Sequence, residues 1–285
     1  MCRYLEAHPE IYIAPRKDLH YFGSDLGFRG KEPMDEADYL AHFAEAQHES
    51  WVGEASVWYL YSRQAAAELA AFAPRGRAIV MLRNPVEVMH ALHSQYLLNG
   101  LGDEDIDDFE AALAAQSDRA AGQRIPPHNR LPESLQYRTV VRFHDQLARA
   151  YEVLGRDRVR VVLQDDLRTD TAGAVRGVYG WLGVDAAVVP DLERVNTNKV
   201  VRSKALRKAV ALTPSGAKDL LPTGLRQGLR KRIRKLNSRH AKRPALDPDL
   251  RARLTDELRL EVDALAELIG RDLSAWTELS PRRSP

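Results

Sequence analysis

The sequence predicts an α/β protein with parallel strand pairing, and three observations carry that prediction. Ala78-Ile79-Val80-Met81-Leu82 and Val159-Arg160-Val161-Val162-Leu163 are runs of strand length, apolar throughout in the first case and nearly so in the second. Such runs suit strands covered on both faces, as in a parallel sheet. Each is followed by a helix signal. Asn84-Pro85 offers a good N-cap and a good first helical residue, and Asp165-Asp166-Leu167 leads into a second helix. Strand, helix, strand, helix in this rhythm is the mark of α/β proteins.

The remaining elements follow in order. Residues 1–10 read as the tail of a helix, and Ile11-Tyr12-Ile13 as a short strand closed by Pro15. Asp35 to Gln47 has helical spacing, with Ala37, Leu40, Ala41 and Ala44 on one face. Trp51 to Glu54 leads into a helix through Leu60, Ala67 and Leu69, and the helix opened by Pro85 stops near Asn99-Gly100. Six of the eight residues from Asp103 to Glu110 are acidic; an Ala-rich helix then runs to about Gly122. Prolines punctuate a loop over 125–132, a long helix spans Leu135 to Leu154, and another runs from about Thr171 to Leu182. Past Asn196 the sequence reads as helix or loop, with 203–285 mainly helical. No internal repeat or low-complexity linker interrupts the chain, so a single domain over 1–285 is expected.

Composition narrows the function classes. At 44 % hydrophobic and 29 % charged, the 285 residues bury a sizeable core, which excludes a disordered or collagen-like chain. No run of about 18 apolar residues offers a membrane span, and MCRYLEAHPE lacks the apolar core of a signal peptide. A lone cysteine, Cys2, cannot form an internal disulfide and fits a cytoplasmic location. The net charge of +2 hides an asymmetry: Lys199 to Arg243 holds 15 basic residues against Asp219 alone, a local +14 that leaves −12 for the other 240 residues. Such a block suits an anionic partner or a basic lid over a phosphorylated ligand. Within it Leu225, Leu229, Ile233 and Leu236 form the stripe of a basic amphipathic helix. That helix leaves three contacts open: a membrane surface, an acidic polymer, or the protein's own acidic face. No aromatic residues interleave with the basic ones, so a nucleic-acid partner is not expected.

Several constellations could carry chemistry. Arg83 sits where a buried strand ends and a helix begins, the crevice where α/β proteins bind ligands and helix amides meet anions. The plainer reading pairs it with Glu87. Lys17-Asp18-Leu19-His20-Tyr21-Phe22 packs a base, an acid and an imidazole into a short span. Asp18 could act as a general base, or the segment could be a solvated turn with Tyr21 and Phe22 as core anchors. His90, His93 and Ser94 lie within about one helical turn but lack a third metal ligand nearby, and no G-x-S-x-G elbow occurs. No metal is expected.

Seven segments in order, HPEIYIAPRKDLHYF, GEASVWYL, IVMLRNPVEVMHALHSQY, RVRVVLQDDLRTDT, WLGV, NKVVRSKAL and ELIGRDLSAW, resemble bacterial sulfotransferases, related to the domains that sulfate heparan sulfate. The resemblance runs from about Leu5 to Trp276. It implies a central parallel sheet flanked by helices, related to nucleotide kinases. It also implies 3′-phosphoadenosine-5′-phosphosulfate as donor and a hydroxyl or amine on a small molecule or carbohydrate as acceptor. By the same resemblance Asp18 takes the place of the family's catalytic glutamate, one methylene shorter, so its reach falls by about 1 Å. Arg83 matches the arginine that binds the donor's 3′-phosphate. The partner serine position is Ala91, with Ser94 three residues on as a candidate substitute. Lys199 and Arg202 match the basic loop that closes over the donor. The family's opening strand, phosphosulfate-binding loop and loop lysine have no counterpart in this sequence, so a truncated start and weak or absent turnover are expected. The alternatives are an inactive relative that binds an anionic partner and a nucleotide kinase using Asp165 or Asp166 on Mg²⁺. Acceptor choice is expected to lie in residues 99–133, and oligomeric state is not specified.

Overall fold

In the computed structural model, residues 1–99, 102–188, 199–201, 238–240 and 244–278 are described. In chain order the elements are α1 (Cys2–Glu6), β1 (Ile11–Ile13), α2 (Glu36–Ala41), β2 (Trp51–Gly53), α3 (Ala65–Phe72), β3 (Ala78–Leu82), α4 (Pro85–Asn99), α5 (Phe109–Ala114), α6 (Gln116–Ala120), α7 (Tyr137–Val140), α8 (Phe143–Leu154), β4 (Val159–Leu163), α9 (Gln164–Thr169), α10 (Thr171–Leu182), β5 (Lys199–Val201), β6 (Ser238–His240), α11 (Pro248–Glu257), α12 (Arg259–Ile269) and α13 (Ser274–Thr277). They fall into two compact units.

The first unit comprises Met1–Asn84, Arg142–Glu193 and Leu260–Ala275. The two apolar runs pair in parallel as expected, β3 with β4, from Ala78 opposite Val159 to Leu82 opposite Leu163. A second parallel pair joins β1 to β2, Ile11 opposite Trp51. The strands of this unit thus form separate parallel pairs, where the resemblance implies one central sheet. Coverage of β3 is also less complete than its apolar run suggests. Val80 and Leu82 share the buried face, and Met81 on the other is 41 % exposed. Leu5, Ile11, Val162, Val175, Val178, Tyr179 and Leu182 make one core cluster, with Ile13, Trp51 and Ile79 at its margin. This cluster draws on both strand pairs and α10. Each such side chain contributes about 1.5–3 kcal/mol over the exposed state.

Helix α10 is stopped at both ends by its own sequence. Asp170 accepts a hydrogen bond from Gly173 N at 2.8 Å. At the other end Gly183 (φ +81°) takes the left-handed conformation. There Gly183 N and Val184 N both reach the Tyr179 carbonyl, at 2.9 and 3.1 Å. Helix α2 departs from its expected face: Ala37 and Leu40 are exposed and Tyr39 is buried. Tyr39 stacks on Tyr21 at 3.9 Å and meets Phe22, Phe43 and Phe72 edge-on, an aromatic cluster that the expected face of Ala37, Leu40, Ala41 and Ala44 does not offer.

The second unit comprises Pro85–Val141, Arg194–Arg259 and Trp276–Pro285. Val86, Met89 and His93 mark the buried face of α4. Its centre is an ion pair: Arg119 donates to both oxygens of Glu104, at 2.6 and 2.8 Å, with both side chains fully buried. Tyr137 donates to Glu104 Oε2 at 2.5 Å. The acidic run therefore begins inside the unit, and Asn129 ties the following loop to the Asp103 carbonyl at 2.8 Å. The helix expected over 135–154 breaks into α7 and α8, where three consecutive β-branched residues, Thr139-Val140-Val141, weaken helix propensity. Past Asn196 the chain is not helix and loop alone: β5 and β6 pair antiparallel, Lys199 opposite His240. Strands of only three residues carry no alternation that sequence could reveal. The basic amphipathic helix expected at 225–236 lies outside the described residues.

Candidate active site

The strand pair β1–β2 continues beyond its ends and delivers two loops to one place. Ala14 N donates to Gly53 O at 2.8 Å, and Asp18 N to Ala55 O at 2.9 Å. The chain then turns sharply. Asp18 (φ +56°) and His20 (φ +48°) both adopt the left-handed region, which costs an L-residue about 1–2 kcal/mol each. Leu19 between them is fully buried and, with Phe22, anchors the turn in a cluster that includes Ala14, Tyr39 and Ala65.

Side chains satisfy the polar backbone of this turn. His20 N donates to Ser56 Oγ at 3.0 Å; Tyr21 N and Phe22 N donate to the Tyr59 hydroxyl at 3.0 and 3.3 Å. On the carbonyl side, Lys31 Nζ donates to Leu19 O at 2.6 Å and His20 O at 2.9 Å. Both hydroxyls then pass their protons to one carboxylate: Ser56 Oγ to Glu54 Oε2 at 2.7 Å, and the Tyr59 hydroxyl to Glu54 Oε1. Burial pushes the Glu54 carboxyl up from its ordinary value, against the pull of the two hydroxyls and Lys31, and Asp18 adds to the rise. Burial, reinforced by Glu54, also raises the Tyr59 phenol, which keeps it a proton donor.

Asp18 is the accessible acid of the group. Its side chain is 53 % exposed, against 10 % for His20, and Oδ1 lies 4.0 Å from His20 Nε2. The same oxygen accepts a long bond from Val57 N at 3.4 Å. The His20 ring stacks on Phe28 at 4.5 Å. An open carboxylate on a rigid turn, beside an imidazole, can take a proton from an incoming hydroxyl or amine. Tyr21 and Phe22 are core anchors, so the plainer reading of this segment holds for those two residues.

The expected donor residues are placed less completely. Arg83 follows β3 directly and is half-buried; Asn84 then leads into the 15-residue α4. Glu87 faces Arg251 at 3.8 Å. Ser94 lies within α4 and donates its hydroxyl to the His90 carbonyl at 2.8 Å, leaving only its lone pairs for a ligand. Lys199 opens β5, and β5 packs against α4, so the helix bearing Ser94 and the strand bearing Lys199 are neighbours. Arg202 lies outside the described residues.

His93 is a core histidine, with Nε2 2.9 Å from Ile106 O and its ring beside Phe109 and Tyr137. Burial lowers its pKa. Among the described residues no group of three or more His, Cys, Asp or Glu could hold a metal, and no helix is long and apolar enough to cross a membrane. Of the kinase candidates, Asp166 is bound by Arg271 at 2.8 Å and Asp165 pairs with Arg168 at 2.9 Å. Sequence reasoning assigned no role to Glu54, Ser56, Tyr59 or Lys31. The signal was there for the first three: an isolated carboxylate inside the otherwise uncharged stretch WVGEASVWYL.

The described strands and helices make an α/β fold with parallel strand pairs, and an accessible acid sits on a strained turn beside a strand end. No protein-family model and no curated protein matches the chain. Among solved structures it is similar to a sulfotransferase from Alicyclobacillus acidocaldarius, at 26 % identity and a TM-score of 0.71, over 97 % of this chain and 92 % of that one. The likeness supports a sulfotransferase.

Proposed function

We propose that this protein transfers a sulfuryl group from 3′-phosphoadenosine-5′-phosphosulfate to a hydroxyl or amine of a small-molecule or carbohydrate acceptor. The observation that carries the proposal is the likeness to a solved sulfotransferase over nearly the whole length of both chains. The donor supplies the sulfuryl group; the rest is positioning and electrostatics, as in phosphoryl transfer. Asp18 accepts the acceptor's proton as the new bond to sulfur forms and the bridging S–O bond to the 5′-phosphate breaks. Arg83 holds the 3′-phosphate. Lys199 and Arg202 bring positive charge to the leaving phosphate, and Ser94 offers a hydroxyl oxygen to the same site. Nothing in this chemistry requires a metal, and the compartment proposed is the cytoplasm.

The 285 residues carry no glycine-rich loop with a following lysine to cradle the 5′-phosphosulfate. An amide nest and its lysine are worth several kcal/mol of transition-state stabilisation. Turnover by this chain is therefore expected to be weak. The test is Asp18→Asn. It is expected to abolish sulfuryl transfer while donor affinity, measured by calorimetry with the desulfated nucleotide, stays unchanged. Unchanged turnover removes Asp18 from the role of base.

A further inference from the structure

Four polar side chains hold the turn that carries Asp18 and His20, and three of them form a directed chain. The Ser56 hydroxyl accepts from His20 N, and the Tyr59 hydroxyl accepts from Tyr21 N and Phe22 N. Each hydroxyl has a single proton, and each gives it to Glu54, one per oxygen. A carboxylate accepts at both oxygens, a protonated carboxyl accepts less well at its hydroxyl oxygen, and an amide can accept at only one of its two positions. The arrangement therefore favours ionised Glu54. An amide at residue 54 leaves one hydroxyl without its acceptor and frees it to rotate away from the turn.

We propose that Glu54 is a positioning residue for the catalytic turn. Ionised, it aligns the Ser56 and Tyr59 hydroxyls so that they hold residues 18–22 in the strained conformation that presents Asp18 to the acceptor. The proposal rests on the proposed function for its catalytic consequence, but the structural half stands alone. Left-handed φ at two non-glycine residues separated by one position persists only where the surroundings over-determine it. Here the surroundings include these hydroxyls and Lys31, beside the Asp18 N–Ala55 O bond and the buried Leu19 and Phe22. The charged and titratable groups around Glu54 are Asp18, which opposes its ionisation, Lys31, which favours it, and the phenols of Tyr59 and Tyr39.

Two readouts separate this role from plain scaffolding. The first needs no activity. His20 stacks on Phe28, with 27° between the ring planes, so its ring protons report the turn by their ring-current shift in NMR. Glu54→Gln is expected to move the His20 ring resonances toward those of a free histidine while the folded-state spectrum elsewhere is kept. Tyr59→Phe, which keeps the ring, together with Ser56→Ala is expected to do the same. The second readout is non-additivity. If Glu54 acts through the hydroxyls, Glu54→Gln lowers kcat on the order of 10–100-fold with donor affinity unchanged. Added to the Tyr59→Phe/Ser56→Ala background, it costs nothing further. Unmoved His20 resonances in both variants, or full additivity of the losses in kcat, overturns the proposal. A wild-type protein that transfers no sulfuryl group from the donor removes the proposed function instead, and the NMR comparison still decides the role of Glu54.

Discussion

At residue 104 a carboxylate lies fully out of solvent, paired with the equally buried Arg119. Burial alone would raise the Glu104 pKa, but Arg119, Tyr137 and the Ile106 amide outweigh it and hold the carboxyl below its ordinary 4.5. A folded-state pKa below the unfolded one contributes stability that is present above pH 4.5 and lost as pH falls through the folded value. The second unit should therefore weaken on acidification from about pH 4.5 downward. Glu104→Gln should flatten that dependence. At neutral pH the same variant leaves Arg119 charged and buried, and is expected to cost about 3–5 kcal/mol in denaturant unfolding. Glu54 has the opposite sign: its pKa is raised, so its ionisation costs stability as pH rises through the folded value. The fully buried Glu104 and the half-buried Glu54 thus respond to pH in opposite directions.

At the scale of the element, α10 shows how local chemistry fixes a boundary. Asp170→Ala removes the cap and is expected to cost about 1 kcal/mol in thermal unfolding. Gly173 has a stricter constraint. A Cβ there would lie 2.1 Å from Asp170 Oδ2, so the cap and a side chain at 173 exclude each other. Gly173→Ala in a helix ordinarily gains about 1 kcal/mol. That gain is expected to vanish in the wild-type background and to return once Asp170 is alanine. The same gain in both backgrounds would show that the cap does not constrain residue 173.

The strands and helices that carry the fold were legible where the signal is local. The apolar runs at 78–82 and 159–163 marked β3 and β4, and Pro85 opens α4 as its sequence implies. The boundary at 140–142 and the pair β5–β6 were not legible, because a β-branched triplet and three-residue strands are decided by their neighbours rather than by pattern. The buried face of α2 was misjudged for a similar reason, since spacing of small residues says nothing about the aromatic cluster that claims Tyr39. Asp18 could be named from its surrounding motif. Its backbone strain could not, because the turn around Asp18 is tied down by residues 31, 55, 56 and 59, which lie 13 or more positions from it.

Taken as a whole, the molecule has its candidate acid on one unit and the residues matched to the donor spread over α4, β5 and the end of β3. The +14 segment begins at Lys199, a residue of β5, and continues into Arg202, outside the described residues. Of these residues Arg83, at a strand end, has the most specific proposed role toward a multiply anionic nucleotide. The most direct measurement is a calorimetric titration with 3′-phosphoadenosine-5′-phosphate of the wild-type chain and of Arg83→Ala. Saturable binding at one site, weakened at least tenfold by Arg83→Ala, about 1.4 kcal/mol, is the expected result. No binding by the wild-type chain, or equal binding by both, would contradict the assignment of the donor and with it the proposed sulfuryl transfer.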